Sequence, residues 1–219
     1  MFLSRVTLDL SQLTPEMMVK WQSASPYASH QWLWQLFSDQ QERRFLFRHE
    51  PSQRGERFYL LSETAPFTPH NLFCVESKPF QPQLTEGMLL HFSLRANPVI
   101  TRAGKRSDVM MDAKYHAKQE EQSSGQIWSL QVAAANDWLQ RQGEQHGFSL
   151  IDDESRVLSY RQQRFSRRTG ERPVTFGSVD FEGHLRITDV ARFTHVLHQG
   201  LGKSKALGCG LMLIRRGER

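Results

Sequence analysis

The sequence predicts an α+β chain made of two tandem ferredoxin-like (RRM-like) units, each in the order β-α-β-β-α-β. Three observations lead to that reading. Runs of alternating apolar and polar residues recur along the chain, separated by stretches whose apolar residues repeat at helical spacing. Residues 78–87, KPFQPQLTEG, carry two prolines and a glycine and mark a boundary. The chain has 219 residues, more than the roughly 150 of an average domain. The expected units are residues 1–80 and 84–219.

MFLSRVTLDLSQL alternates from its first residues and reads as a strand over about 2–10. No basic region precedes a continuous apolar core, so this is not a signal peptide, and a cytoplasmic location is expected. A helix is expected from Ser25-Pro26, where serine suits the N-cap and proline the first helical position. Its apolar residues Tyr27, Leu33, Trp34, Leu36 and Phe37 carry it to about Ser38. Strands over 44–49 and 57–62 flank the turn residues Pro51-Ser52-Gln53-Arg54-Gly55 and form a hairpin. A proline-rich stretch over 65–73 is a poor helix, and a strand near 74–76 closes the first unit.

The second unit opens with MLLHFSLRANPV, a strand ending at Asn97-Pro98. Residues 102–125 are polar, with glycine, serine and mixed charges, and read as a long mobile connection. Ile127, Leu130, Ala134, Trp138 and Leu139 form the stripe of a helix over 126–142. Extended segments follow at 148–151, 157–165 and 174–187. Asp189 then caps a helix through Phe193, Val196 and Leu197, and the last strand spans 210–214.

Composition excludes several classes of protein. Hydrophobic residues make up 38% and charged residues 23%, with 14 Phe and 5 Trp, too much apolar surface for a disordered chain. No run of 18 apolar residues offers a membrane-spanning helix, so no membrane partner is expected. Cys74 and Cys209 are too few for a disulfide framework or a four-cysteine zinc site, and both read as small buried apolar residues. The H-E-x-x-H, G-x-S-x-G and G-x-G-x-x-G patterns are missing. Gly202-Lys203-Ser204 resembles the end of a phosphate-binding loop, but the glycine required five positions earlier is Leu197.

Charge is distributed unevenly. The net charge is +5, but residues 155–219 hold 13 basic and 5 acidic side chains, while the rest of the chain is acidic on balance. That asymmetry suits a surface meeting a polyanion. Within RQQRFSRRTGER, Arg161, Arg164, Arg167, Arg168 and Arg172 face only Glu171. The stretch is either a phosphate-binding hairpin or an edge hairpin charged against aggregation. In GLGKSKALGCGLM, residues 200–212, four glycines surround Lys203 and Lys205. Such a loop either cradles a phosphate, with Gly208 and Gly210 allowing close approach, or packs a helix tightly onto a sheet. The exposed sheet faces of ferredoxin-like units often bind RNA, although the aromatic signature of RNA-recognition motifs is missing here.

GLGKSKALGCGLM, with LRANP at 94–98, DFEGHLRITD at 180–189 and SPYASH at 25–30, resembles the CasE family. These are the repeat-RNA processing endoribonucleases of type I-E CRISPR systems. The resemblance covers essentially the whole chain, although the tail RRGER is more basic than the family's usual ending. It implies tandem ferredoxin-like domains and cleavage of the CRISPR repeat transcript at the base of a hairpin, with neither metal nor cofactor. It also implies partners, the repeat hairpin RNA and the other subunits of the Cascade complex, in which the product stays.

The family's catalytic tyrosine and histidine, three residues apart on the first helix, fall on Tyr27 and His30. Physical chemistry is compatible with that carry-over, because residues i and i+3 share a helix face and a helix N-terminus favours a phosphate. RNA brings its own nucleophile, the 2′-hydroxyl, so the protein has only to align it and move protons. His30 is expected in acid-base catalysis and Tyr27 in orienting the ribose or donating to the phosphate. Arg161, Arg164, Arg167, Arg168, Lys203, Lys205, Gly208 and Gly210 are the expected RNA contacts. Two functions are carried forward, a repeat-RNA endoribonuclease and a non-catalytic RNA-binding subunit in which Tyr27 and His30 only pack.

Overall fold

The computed structural model of the chain describes all residues except 23–25, 38–41, 43, 53–54, 69–70, 103, 152–155, 167–170 and 218–219. In the first half, β1 (Phe2–Leu8) is followed by the helices α1 (Pro15–Gln22) and α2 (Pro26–Trp34), then by β2 (Phe45–Ser52), β3 (Gly55–Ser62) and β4 (Phe73–Pro79). The strands form one antiparallel sheet in the order β2-β3-β1-β4. Period-two alternation puts Val6 and Leu8 of β1, Phe45 and Phe47 of β2, and Phe58 and Leu60 of β3 on one face. Leu33 of α2, with Leu36 and Phe37 just after it, covers that face.

The second half runs β5 (Leu89–Ala96), β6 (Val99–Arg102), β7 (Lys105–Asp108), α3 (Val109–Gln119), α4 (Ser124–His146), β8 (Phe148–Leu150), β9 (Arg156–Phe165), β10 (Val174–Ile187), α5 (Val190–Gln199) and β11 (Met212–Arg216). Its main sheet has the order β11-β5-β10, with β8 and β9 both paired to β10. Leu90, Phe92, Leu94 and Ala96 point from β5 into a core closed by Trp138 and Leu139 of α4 and Phe193, Val196 and Leu197 of α5. The opposite face of each sheet turns toward the other half. Leu46 and Leu61 of the first sheet meet Leu211 and Leu213 there and hold the halves together.

Local sequence explains the boundaries. Ser123 and Gln126 form a capping box at the start of α4, which ends at Gly147 in the left-handed region (φ 76°). Asp189 accepts the amide of Arg192 at 3.0 Å and starts α5 as expected.

Three expectations need correction, and one helix was not expected. The poor helix over 65–73 is not formed by the described residues of that stretch. Prolines interrupt it, and the Phe67 amide donates to the Leu36 carbonyl at 2.9 Å, tying the segment to the turn after α2. The first unit therefore lacks its second helix. Residues 102–125 are not a mobile connection, since they hold β7, α3 and the start of α4. Asp108 accepts the amides of Met110 and Met111 and caps α3, whose Val109, Met110 and Ala117 are buried. The helix α1 lies outside the expected elements, although Thr14-Pro15 is a helix-start signal and Thr14 Oγ1 accepts the Met17 amide at 3.3 Å. Cys74 is exposed, because it lies on the edge strand β4 opposite Thr7, on the face away from the first core, while Cys209 is buried as expected. Among the described residues no helix is long and apolar enough to cross a membrane.

Candidate active site

Tyr27 and His30 lie one turn apart on α2 and line a shallow groove with Gln31, Trp34 and Gln35. Ser25, the expected N-cap, lies outside the described residues. The Tyr27 hydroxyl accepts a hydrogen bond from Gln31 Nε2 at 3.1 Å. The imidazole of His30 lies over Phe45 and Phe47, with ring centroids 5.7 and 6.2 Å away, and meets Trp34 at 5.3 Å edge to face. These inward-facing residues of β2 give the histidine an apolar back wall that limits its motion.

The second half of the chain reaches this helix. The Phe165 ring at the end of β9 lies nearly parallel to that of Tyr27, at 12° and 6.4 Å between centroids. Arg161, Gln163 and Phe165 alternate onto the face of β9 that looks toward α2, whereas Arg164 points to the opposite face. Both arginines are exposed. Arg167 and Arg168 lie outside the described residues.

Beside the start of α2 a cleft of about 380 Å³ opens between the halves, lined by residues of α2, β2, β3, β5, β9, β10 and the glycine-rich loop. An ion pair braces it. Arg95 Nε and Nη2 donate to the two carboxylate oxygens of Asp180 at 2.7 and 3.1 Å, and Nη1 donates to the His49 carbonyl at 2.9 Å. Ser159 adds a hydrogen bond to Asp180 at 2.8 Å. Burial alone would push the Asp180 carboxyl up, but the bonds and charge of Arg95 more than offset it and hold the group below its ordinary value. The buried Arg48 lies near this pair with its Nε 2.8 Å from Glu50 Oε1, and burial pulls its guanidinium below the usual arginine value. His49 stacks on Phe58 and pairs with Glu56.

The glycine-rich loop packs against the first half. Gly208 (φ 82°) lies against Phe47, where an added Cβ would come within 3.2 Å of the ring, and it also lines the cleft. Gly210 (φ 93°) donates its amide to the Arg95 carbonyl at 2.7 Å. Lys203 is exposed and bridges to Asn97, while Lys205 Nζ donates to the Gln199 carbonyl at the end of α5 at 2.7 Å. The loop thus joins helix to sheet and also borders the cleft, so both readings of its glycines describe part of it.

A family model described as CRISPR associated protein matches residues 1–216. The chain belongs to that family. It is 30% identical over 194 residues to the CRISPR system Cascade subunit CasE of Escherichia coli strain K12, covering 86% of this chain and 90% of the relative. It is 28% identical over 211 residues to the CRISPR-associated endoribonuclease Cse3 of Thermus thermophilus, covering 87% and 90%. A structure of CRISPR endoribonuclease Cse3 bound to a 19-nucleotide RNA superposes with a TM-score of 0.76 at 27% identity, over 98% of this chain and all of that one.

The spacing of Tyr27 and His30 predicts that they share one helix face, and on α2 they line the same groove. Nothing local in the sequence joins the arginine-bearing strand β9 to that helix, and the fold brings the two together through Phe165 and Arg161. Asp180 and Arg95 fall within DFEGHLRITD and LRANP, with no local sign in the sequence that they pair. Their pairing across β10 and β5 (Asp180 opposite Arg95) is the kind of cross-strand signal that register alone supplies.

Proposed function

We propose that this chain is a CRISPR repeat-RNA endoribonuclease. It cuts the precursor transcript within the repeat, at the base of a hairpin, by attack of a 2′-hydroxyl on the adjacent phosphate, with neither metal nor cofactor. It keeps the mature guide RNA as a subunit of a Cascade complex in the cytoplasm, and its halves are tandem ferredoxin-like domains, 1–80 and 84–219. The strand orders β2-β3-β1-β4 and β11-β5-β10-β8 support the domain reading, since both are antiparallel and the central pair β1-β3 of the first corresponds to β5-β10 of the second. The relatives' names and the RNA-bound neighbour support the RNA reading.

One observation carries the catalytic assignment: Tyr27 and His30 share a groove on α2 directly against the strand that bears Arg161 and Phe165. An RNA following β9 passes both. His30 transfers protons during attack and departure, a contribution of roughly 10² to 10⁴-fold. Tyr27 donates its hydroxyl to a phosphate oxygen, and the Gln31 bond it accepts orients and polarises it. Arg161, Arg164, Arg167, Arg168, Lys203 and Lys205 hold the phosphates, and Gly208 and Gly210 let the backbone pass close by.

The test is a comparison of binding and cutting. His30→Ala loses most cleavage of a repeat hairpin in EDTA while its affinity stays near that of the parent, because the residue acts in the transition state. Tyr27→Phe loses less. Undiminished cleavage by His30→Ala overturns the assignment. The packing of His30 among Phe45, Phe47 and Trp34 favours a second reading, a non-catalytic RNA-binding subunit, in which the parent protein binds the hairpin and never cuts it.

A further inference from the structure

The polar groups of the cleft fall into two sets. One set is satisfied within the protein: His49 by Glu56, Arg95 by Asp180, and the Ser178 hydroxyl by the Arg161 carbonyl at 3.4 Å. The other set is Ser29 of α2 and, on β9, Gln163 and the guanidinium of Arg161, which line the same space. Their side chains make no hydrogen bond or ion pair among the described residues, Arg161 being exposed and Gln163 half-buried. Ser29 is only 6% exposed, so its hydroxyl has little besides the cleft to turn to. A few polar groups converging on a partly apolar cavity are the mark of a ligand site.

Charge and size narrow the ligand. With Arg95 paired to Asp180 and His49 to Glu56, the charged side chains that line the interior already have partners, and an anion gains little by entering. Arg161, exposed at the rim, is the cation that an anion meets. The walls include the rings of Phe47 and Phe176. About 380 Å³ lies at the small end of ligand pockets, which run from roughly 300 to 1,000 Å³. A neutral planar group carrying donors and acceptors, attached to one anion that stays outside, fits this description. A carboxamide such as Gln163 offers a donor and an acceptor side by side, the pairing suited to the edge of a base.

We propose that the cleft binds a single unpaired ribonucleotide of the RNA, its base inside against Gln163 and Ser29 and its phosphate on Arg161. The proposal rests on the RNA-processing reading above and adds the pocket that selects the nucleotide flanking the hairpin. Pro26 and Ser29 of the cleft alternate along α2 with Tyr27 and His30 of the groove, so a nucleotide seated in the cleft puts its neighbouring phosphate at the start of that helix.

The experiment measures affinity of the full chain for repeat hairpins with one abasic nucleotide at each position flanking the stem. In the parent protein one flanking position loses roughly tenfold in affinity when its base is removed. Gln163→Leu, which keeps the volume, and Gln163→Glu, which loses the donor, bind the intact RNA as weakly as the parent binds that abasic RNA, and base removal costs them nothing more. Hairpins trimmed of flanking nucleotides bind parent and variants alike. Equal abasic losses in parent and both variants, or a parent indifferent to every flanking base, overturn the pocket while leaving the RNA-processing reading intact. A parent that binds no repeat hairpin overturns both.

Discussion

Cys74 and Cys209 show how differently one residue type is treated in this fold. Burial pushes the Cys209 thiol up to about 12, with Asp180 adding to the effect and Arg95 and Arg48 opposing it, so it stays protonated near neutral pH. Cys74 faces solvent. Alkylation of the native chain at pH 8 is expected to modify one cysteine by intact mass, to modify none in Cys74→Ser, and to modify both after unfolding. Labelling of Cys209 in the native chain would contradict its burial. The sequence could not separate the two, because composition gives the average burial of cysteine, while the face of β4 on which Cys74 falls depends on pairing at a sheet edge. The spacing of Tyr27 and His30, by contrast, was legible, because i and i+3 on a helix need no tertiary information. Phe165, which stacks beside Tyr27, was not, since nothing local joins a residue of β9 to α2.

The strand β9 and its neighbours behave according to face. Arg161 lies on the cleft side and Arg164 on the other, so Arg161→Ala should weaken hairpin binding more than Arg164→Ala, while each lost phosphate contact flattens the dependence of log affinity on log salt by at most about 0.9. Fluorescence titrations at several salt concentrations check this, and an unchanged slope in the double variant would remove β9 from the RNA surface. The start of α3 is tied to the same hairpin. The Asp108 carboxylate, which caps α3, lies over Gly177 of β10 and accepts from Tyr160 of β9 at 3.4 Å. A Cβ at Gly177 would overlap that carboxylate. Gly177→Ala should therefore cost about 1–3 kcal/mol, roughly 2–4 °C of Tm for each, in thermal melts. Unchanged melting would contradict the contact. The helix α3 was illegible in advance because its few buried residues, Val109, Met110 and Ala117, are diluted among charged ones, and its cap is recognisable only once Asp108 is known to end a strand.

The alignment of the two halves is what turns separate motifs into one site, and Arg95 sets it by gripping Asp180 on its own sheet and the His49 carbonyl on the other. Because the folded Asp180 carboxyl sits below its ordinary value, its contribution is present above about pH 4, the unfolded value, and is lost as pH falls through the folded one. Asp180→Asn should lower stability by about 3 kcal/mol near neutral pH, since it strips a largely buried arginine of its partner. The gap from the parent should narrow toward pH 3, as urea melts at both pH values will show. A gap independent of pH would mean that the pair does not hold the halves. The alternation of both sheets could be read from the chain, but not this grip, which depends on two strands from different halves meeting. The central claim is that the site assembled this way uses the RNA's own 2′-hydroxyl. Its most direct test is incubation of the protein, in EDTA, with a repeat hairpin bearing either ribose or 2′-deoxyribose on the 5′ side of the scissile phosphate, with product ends read by mass spectrometry. The ribose substrate is expected to give a 2′,3′-cyclic phosphate, or its opened 3′-phosphate, and a 5′-hydroxyl, while the deoxy substrate stays intact. Cleavage of the deoxy substrate, or no cleavage of the ribose substrate until magnesium is added, would contradict it.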